Sequence, residues 1–281
     1  MGQISSTKDL SVVFIKPSRG WVLPQIRDVW VYRGLLYFLV WRDLKVRYKQ
    51  TVLGILWAII QPFFLMVIFS VFFGRLARIP SEGIPYPIFA YAALLPWTYF
   101  AQSLNACNNS LVGNSHLITK VYFPRLIIPI SSVLSGLVNF GISFSILLAM
   151  MLYYQITPTL AALLLPFLTI MAMATALGAG LWLSALNVQY RDIRYAISFL
   201  IQFWFFATPV VYPSNLVPNK WRLIYALNPM VGIVEGFRRA LLGKGQIICP
   251  MFILSIIIIV LLLVTGILYF RRMEKGFADV V

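Results

Sequence analysis

The residues able to act as acids, bases or metal ligands are few and scattered in this chain. It holds eight Asp or Glu residues and one His. The carboxylates are Asp9, Asp28, Asp43, Glu82, Asp192, Glu235, Glu274 and Asp279. With His116 as the single histidine, neither a Ser-His-Asp triad nor a His-containing metal site is expected. The phosphate-binding sequence G-x-x-x-x-G-K-[ST] is also missing, its nearest fragment being Gly243-Lys244-Gly245. We therefore predict no catalytic, cofactor or metal site on this chain.

Most of the chain is apolar, at 60% hydrophobic and 11% charged residues with a mean hydropathy of +0.86. Soluble domains carry roughly a quarter charged residues, so the composition predicts an all-α polytopic membrane protein. Six windows approach the ~20 apolar residues of a membrane span. They are 52–73, 88–108, 126–154, 160–186, 195–212 and 249–270, the fifth being interrupted by Gln202 and Pro209. No carboxylate falls in the middle of a window, which argues against an ion-coupled carrier.

The distribution of Lys and Arg predicts the orientation. Of the 23 basic residues, most fall in the 1–51 arm, the links 109–125 and 187–195, and the tail after 270. By the positive-inside rule both termini are cytoplasmic. We expect a cytoplasmic arm with an interface helix over 1–51, a transmembrane domain over 52–270 and a tail over 271–281. Cys107 and Cys249 are predicted to be small buried hydrophobes without metal-ligand spacing.

The stretch from Phe38 to Pro62 joins a basic segment directly to an apolar one. On a helix over 37–49, one apolar stripe would hold Tyr37, Val40, Trp41, Leu44 and Tyr48. Basic side chains fall mainly elsewhere, at Arg42, Lys45, Arg47 and Lys49. This pattern predicts an amphipathic helix in the cytoplasmic interface, with its cations toward lipid phosphates. Such a helix is either a passive lipid anchor or also a surface for a cytoplasmic motor.

The segments between the windows are rich in polar and aromatic residues. Between the fifth and sixth windows, TPVVYPSNLVPNKWRLIYALNPM precedes a short amphipathic segment, VGIVEGFRRALLGKG. Short helices at membrane depth are tolerated where they line a cavity, so we expect periplasmic gate helices here. The candidate pore and gate aromatics are Trp97, Tyr99, Phe100, Phe205, Tyr212, Trp221 and Tyr225. They form either an interfacial belt or a surface for sugar rings.

Four motifs resemble the membrane subunits of ABC-2 type exporters, in particular those of the polysaccharide branch that exports O-antigen. They are LLYFLVWRDLKVRYKQTVLGILWAIIQP, SHLITKVYFPRLIIPISSVLSGLV, NVQYRDIRY and NPMVGIVEGFRRALLG. The upstream IKPSRGW, residues 15–21, is also similar to that branch. Permeases for teichoic acid and capsule resemble the chain as well, and nothing in the motifs identifies the sugar.

The resemblance implies a homodimer of six-helix subunits with two copies of a separate ATPase that binds ATP and Mg²⁺. The cargo would be a polysaccharide on undecaprenyl diphosphate, drawn in by the four basic residues of the interface helix. The conduit would lie between the subunits, with residues 213–240 as its gate. Coupling to the ATPase would involve Asp43, His116, Lys120, Phe123, Pro124, Arg125, Arg191 and Asp192.

Two other functions stay open from the residues. An ABC-2 permease for a drug or small lipid shares the same mechanics. A membrane glycosyl or phosphoryl transferase would need clustered carboxylates or His near one membrane face, which this sequence lacks.

Overall fold

The computed structural model describes residues 26–49, 56–190, 192–243 and 249–277. All regular elements in these ranges are helices. The first part of the chain forms α1 (Ile26–Val31), α2 (Arg33–Lys49), α3 (Leu56–Phe69, continued by π-helical turns over Ser70–Leu76), α4 (Tyr86–Gly113) and α5 (Ser115–Lys120). There follow α6 (Ile127–Tyr153), a 3₁₀ turn (Leu160–Leu164) leading into α7 (Leu165–Gln189), and α8 (Ile193–Phe206). The last part holds α9 (Arg222–Ala226), α10 (Pro229–Leu242) and α11 (Cys249–Met273).

Four of these helical stretches are long and apolar enough to cross a membrane. They are Leu56–Leu76, Ile127–Tyr153, Leu160–Gln189 and Pro250–Met273. Their outer surfaces expose large apolar side chains, such as Phe64 on the first and Leu261 on the last. These four match the first, third, fourth and sixth sequence windows, and they confirm an all-helical membrane protein.

The second and fifth windows behave differently from a simple apolar span. Helix α4 has 28 residues, but most of its side chains are buried against the other helices, so it needs little apolar surface for lipid. Helix α8 has only 14 residues and ends at Phe206, before Pro209. Since about 20 residues are needed to cross the hydrocarbon, the predicted count of six spans is not established by these helices.

Helices α7 and α11 pack at very short distance through two glycines. A Cβ added at Gly266 would lie 2.5 Å from the carbonyl oxygen of Gly178. Close approach through small residues is how membrane helices gain van der Waals contact without a hydrophobic driving force. One helical turn away, the rings of Trp182 and Tyr269 stack with centroids 4.0 Å apart.

The bundle has two ends that matter for function. At the link end, α4 is joined to α6 through residues 114–126, and α11 finishes close by at residues 274–277. At the opposite end lie residues 77–85, 154–159 and 207–228, which connect the other ends of the same helices. Helices α2 and α5 belong to the link end.

Candidate functional site

Helix α2 is fixed to the link end by Leu39 and Arg42. Leu39 is 1% exposed and packs among residues of the link end. The Arg42 guanidinium donates to Asp43 Oδ1 at 2.8 Å and to Asn114 Oδ1 at 2.7 Å. Asn114 caps the end of α4 and in turn donates to the Ser110 carbonyl. Arg42 and Asp43 therefore dock α2 onto the start of the link.

The far end of α2 reaches well along α6. The Tyr48 hydroxyl donates to Asn139 Oδ1. Asn139 is the thirteenth residue of α6, about 18 Å from its link end at 1.5 Å per residue. Arg42, by contrast, contacts the end of α4. Helix α2 thus runs from the end of α4 to a point partway along α6, and its position at the membrane interface stays a prediction.

The basic side chains of α2 are distributed in two environments. Lys45 and Lys49 are exposed, whereas Arg42 and Arg47 are half-buried. Lys45 Nζ lies 4.4 Å from the centre of the Trp41 ring, an exposed cation–π contact. Tyr37 and Trp41, from the predicted apolar stripe, are also exposed, and Leu39 outside that stripe is the buried residue. The apolar residues of α2 therefore lie on more than one side of the helix. Leu39 is the buried one, and it packs against the rest of the bundle.

The link itself combines exposed polar residues with a buried anchor. His116 and Lys120 on α5 are exposed, and Phe123 is 5% exposed in a cluster with Leu39 and Phe277. Pro124 is half-buried and leads into α6. Of the predicted coupling residues in the link, His116 and Lys120 are accessible on the short helix α5, whereas Phe123 and Pro124 lie in a packed turn.

Arg125 ties the link to the end of α11, a contact that sequence reasoning missed. Its backbone N–H donates to Glu274 Oε1 at 3.1 Å, and its guanidinium donates to the Glu274 carbonyl. Burial raises the pKa of Glu274, opposed by its hydrogen bond from Arg125 and by the charges of Arg271 and Arg125. Phe270 and Phe277 pack edge-to-face beside this pair. The only sequence signal was a lone carboxylate after a run of basic residues.

The turn between α7 and α8 lies on the same side as the link. Asn187 near the end of α7 donates to the Asn108 carbonyl of α4 at 3.0 Å. Asp192 is exposed, and its carbonyl accepts the backbone N–H groups of Tyr195 and Ala196. Arg191 lies outside the described residues. Asp192 therefore occupies an accessible position, as a contact with another protein would require.

The predicted pore and gate aromatics divide into two groups. Trp97, Tyr99 and Phe100 are at most 4% exposed, and Trp97 packs edge-on against the half-buried Phe205. The others lie at the opposite end, where the hydroxyls of Tyr212 and Tyr225 are 3.2 Å apart and Trp221 is exposed. In this conformation the first group contacts neighbouring side chains, so its role in a conduit stays a prediction.

A buried ion pair holds the opposite end together, and sequence reasoning did not find it. Arg238 on α10, 1% exposed, bonds Glu235 at 3.1 Å and the carbonyls of Val210 and Tyr212 at 2.8 and 3.2 Å. Its guanidinium lies 3.9 Å from the centre of the Phe89 ring on α4. A carboxylate three residues before an Arg, in a helix whose only other charge is the neighbouring Arg239, was the available signal.

Asn228 joins the same region to α8. Its side-chain oxygen caps α10 by accepting the Met230 N–H at 3.0 Å and also accepts Trp204 Nε1–H at 2.8 Å. Its amide donates to the Ala207 carbonyl and the Thr208 hydroxyl. The segment from Ala207 to α10 is thus hydrogen-bonded to α8 through Trp204, and to α4 through the Tyr86 hydroxyl, which donates to the Val211 carbonyl at 2.7 Å.

No three His, Cys, Asp or Glu side chains converge on one point in the described ranges. The geometry offers instead a helical membrane body with accessible polar elements at one end and a tightly bonded loop at the other. This arrangement is that of a polytopic helical membrane protein.

Residues 34–242 match the family model for the ABC-2 type transporter, and the chain belongs to that family. The motif-based family prediction is confirmed. The chain is 35% identical to an O-antigen export system permease protein RfbA of Myxococcus xanthus over 76% of this chain and 82% of that one. It is 29% identical to an RfbA of Klebsiella pneumoniae over 88% and 95% of the two chains. A polysialic acid transport protein KpsM of Escherichia coli is 24% identical over 72% and 78%.

Proposed function

We propose that this chain is the permease of an ATP-driven exporter that carries a lipid-linked polysaccharide of the O-antigen type across the bacterial inner membrane. The observation that supports this most is the 35% identity with a permease named for O-antigen export over most of both chains. A capsule-type polysaccharide is the second candidate, favoured by the similarity to a polysialic acid transport protein.

The energy source would be a separate ATPase, because the sequence holds no phosphate-binding loop. The accessible surface for it is at the link end, with His116 and Lys120 on α5 and Asp192 at the start of α8. The link end would then be cytoplasmic, with both termini on that side. A homodimer with two ATPase copies completes the proposed assembly.

The exposed cations of α2 are the proposed contact for the diphosphate of the lipid carrier. Basic clusters at a membrane surface attract anionic headgroups. Lys45 and Lys49 are the sharper candidates, since Arg42 is already engaged by Asp43 and Asn114. The half-buried Arg47 completes the basic set.

We propose that residues 213–240, at the opposite end of the bundle, form the gate. This end would face the periplasm.

The first test is a deletion strain complemented with the wild-type chain, in which surface polysaccharide should disappear and return. Unchanged surface polysaccharide in the deletion strain would refute the proposed cargo.

The second test is the Lys45→Gln/Lys49→Gln variant, which is expected to export less while the complex assembles normally. A control variant with the same loss of charge at the opposite end replaces exposed Arg75 and Arg78 by Gln. Equal export by both variants would refute the role of the α2 cations.

A further inference from the structure

A cleft between α3, α4 and α6 is lined by three carboxamide side chains from three different helices. They are Gln61 on α3, Gln102 on α4 and Asn139 on α6. The remaining lining residues are Ala58, Pro62, Thr98, Tyr99, Phe140 and Ser143. The cleft thus combines amides and hydroxyls with two aromatic rings.

The carboxamides lie near the middle of the membrane-crossing body. Gln102 is eleven residues from the link end of α4, about 16 Å, and Asn139 is about 18 Å from the link end of α6. Both helices are about 40 Å long. Gln61 and Gln102 are exposed at this depth. Polar side chains in membrane helices face a water-filled cavity or a partner, since hydrocarbon offers them no hydrogen bonds.

Much of the hydrogen-bonding capacity of these amides is unused. Asn139 Nδ2 donates to Gln102 Oε1 at 3.3 Å, and Asn139 Oδ1 accepts from the Tyr48 hydroxyl. Within the described part of the chain, Gln61 and the Gln102 amide nitrogen have no hydrogen-bond partner, although each amide nitrogen has two N–H donors. These groups can therefore donate to and accept from a ligand in the cleft.

The cleft lining contains no Asp, Glu, Lys, Arg or His. An anion or a cation would find no counter-charge there, so the fitting ligand is uncharged. Carboxamides match hydroxyl groups because both donate and accept, and the half-buried Phe140, packed edge-on against Tyr99, adds apolar surface to the lining. A neutral sugar ring combines these two characters.

We infer that this cleft is a carbohydrate subsite that holds neutral sugar units of the transported chain. This inference deepens the proposed function and rests on it. Tyr48 joins α2 to the cleft through Asn139, so sugar at Asn139 lies next to the end of the helix that carries Lys45 and Lys49. Carrier phosphate and sugar would then be bound by adjoining parts of one surface.

The test replaces one amide at a time by leucine in the complemented deletion strain. Gln102→Leu and Asn139→Leu should each lower surface polysaccharide about tenfold, the factor for one or two lost hydrogen bonds to ligand. Asn139→Gln, which keeps the amide, should restore export. The matched control is Asn105→Leu, an exposed amide on α4 outside the cleft lining. ATP hydrolysis by the purified complex and the amount of complex in membranes should stay at wild-type levels.

A labelling experiment tests the cleft without relying on export. Gln102→Cys in intact membranes should react with a water-soluble maleimide, whereas Val138→Cys, exposed beside Asn139, should face lipid and react at least tenfold more slowly. Labelling of Gln102→Cys should fall in cells that make the lipid-linked glycan relative to cells blocked in its synthesis.

The possible failures are distinguishable. If the wild-type chain does not restore surface polysaccharide, the proposed function fails and the subsite fails with it. If the wild type restores export but Gln102→Leu and Asn105→Leu export equally, the subsite alone is refuted. Glycan-independent labelling of Gln102→Cys likewise refutes the subsite while leaving the exporter intact.

Discussion

Replacing Arg238 by Met should destabilise the permease far more than replacing its neighbour Arg239. Arg238 is 1% exposed and bonds three oxygens, whereas Arg239 is exposed on the other side of the same helix. Removing one partner of a buried ion pair costs about 3–5 kcal/mol, because the other charge is left uncompensated. Surface substitutions usually stay within about 0.5 kcal/mol.

The magnitude can be divided between charge and hydrogen bonding. Glu235→Gln keeps a hydrogen-bond acceptor for Arg238 but removes its counter-charge, so the buried guanidinium is left uncompensated and most of the roughly 3–5 kcal/mol should be lost here as well. Glu235→Leu combined with Arg238→Met removes both charges, so the double variant should be more stable than Arg238→Met alone. The carbonyls of Val210 and Tyr212 lose their donor both in Arg238→Met and in the double variant.

The assay is thermal unfolding of the detergent-purified full chain, followed by loss of the monodisperse peak. At about 2–4 °C per kcal/mol, Arg238→Met should lower the midpoint by roughly 10 °C and Arg239→Met by less than about 2 °C. Equal midpoints for these two variants would refute the assigned role of the buried pair. A double variant less stable than Arg238→Met would refute the charge argument specifically.

Two further predictions concern helix packing and the link end. Gly266→Ala should lower the unfolding midpoint and the membrane yield, because its methyl group would collide with the Gly178 carbonyl. The control Gly141→Ala has open space around it and should leave both quantities unchanged. Equal behaviour of the two variants would contradict the close α7–α11 contact. Glu274→Ala should partly uncouple ATP hydrolysis from export in the assembled complex, because the Arg125 N–H loses its side-chain acceptor and the link keeps only its weaker contacts with the segment after α11. Export per ATP at the wild-type level would contradict this role.

The apolar helices were predictable from the sequence because hydropathy over about 20 residues is a direct consequence of contact with lipid. Windows 126–154 and 160–186 lie within a few residues of α6 and of the Leu160–Gln189 stretch. Helix α4 was the limit of this reasoning, since a helix enclosed by others can be polar. Its buried Ser103 and Asn108 would be out of place in a lipid-facing helix of the same length.

The family and the accessible link were also recoverable from sequence, because they depend on local motifs. The contacts that hold the two ends were not. Arg125 and Glu274 are 149 residues apart, and Arg238 meets carbonyls 26 and 28 residues away. Such pairs depend on tertiary packing, and one sequence without co-variation carries little trace of them.

The π-helical turns after α3 were likewise unpredicted. Ser70–Leu76 continues the first span as a π-helix, in which each backbone hydrogen bond spans five residues instead of four. Gly74 in this segment lies against the Tyr86 ring at the start of α4. A Cβ at Gly74 would come within 2.9 Å of that ring. Helix propensity does not distinguish α from π geometry, so the close approach of Tyr86 is visible only in the folded chain.

Reconstitution into liposomes tests the central claim that this chain moves cargo only when a separate ATPase drives it. The measurement is the appearance of lipid-linked polysaccharide in the outward-facing leaflet, together with ATP hydrolysis, with and without the ATPase subunit. The account predicts neither hydrolysis nor net translocation by the chain alone, and both after the ATPase and ATP are added. Translocation against a gradient, or ATP hydrolysis, by the purified chain alone would contradict it.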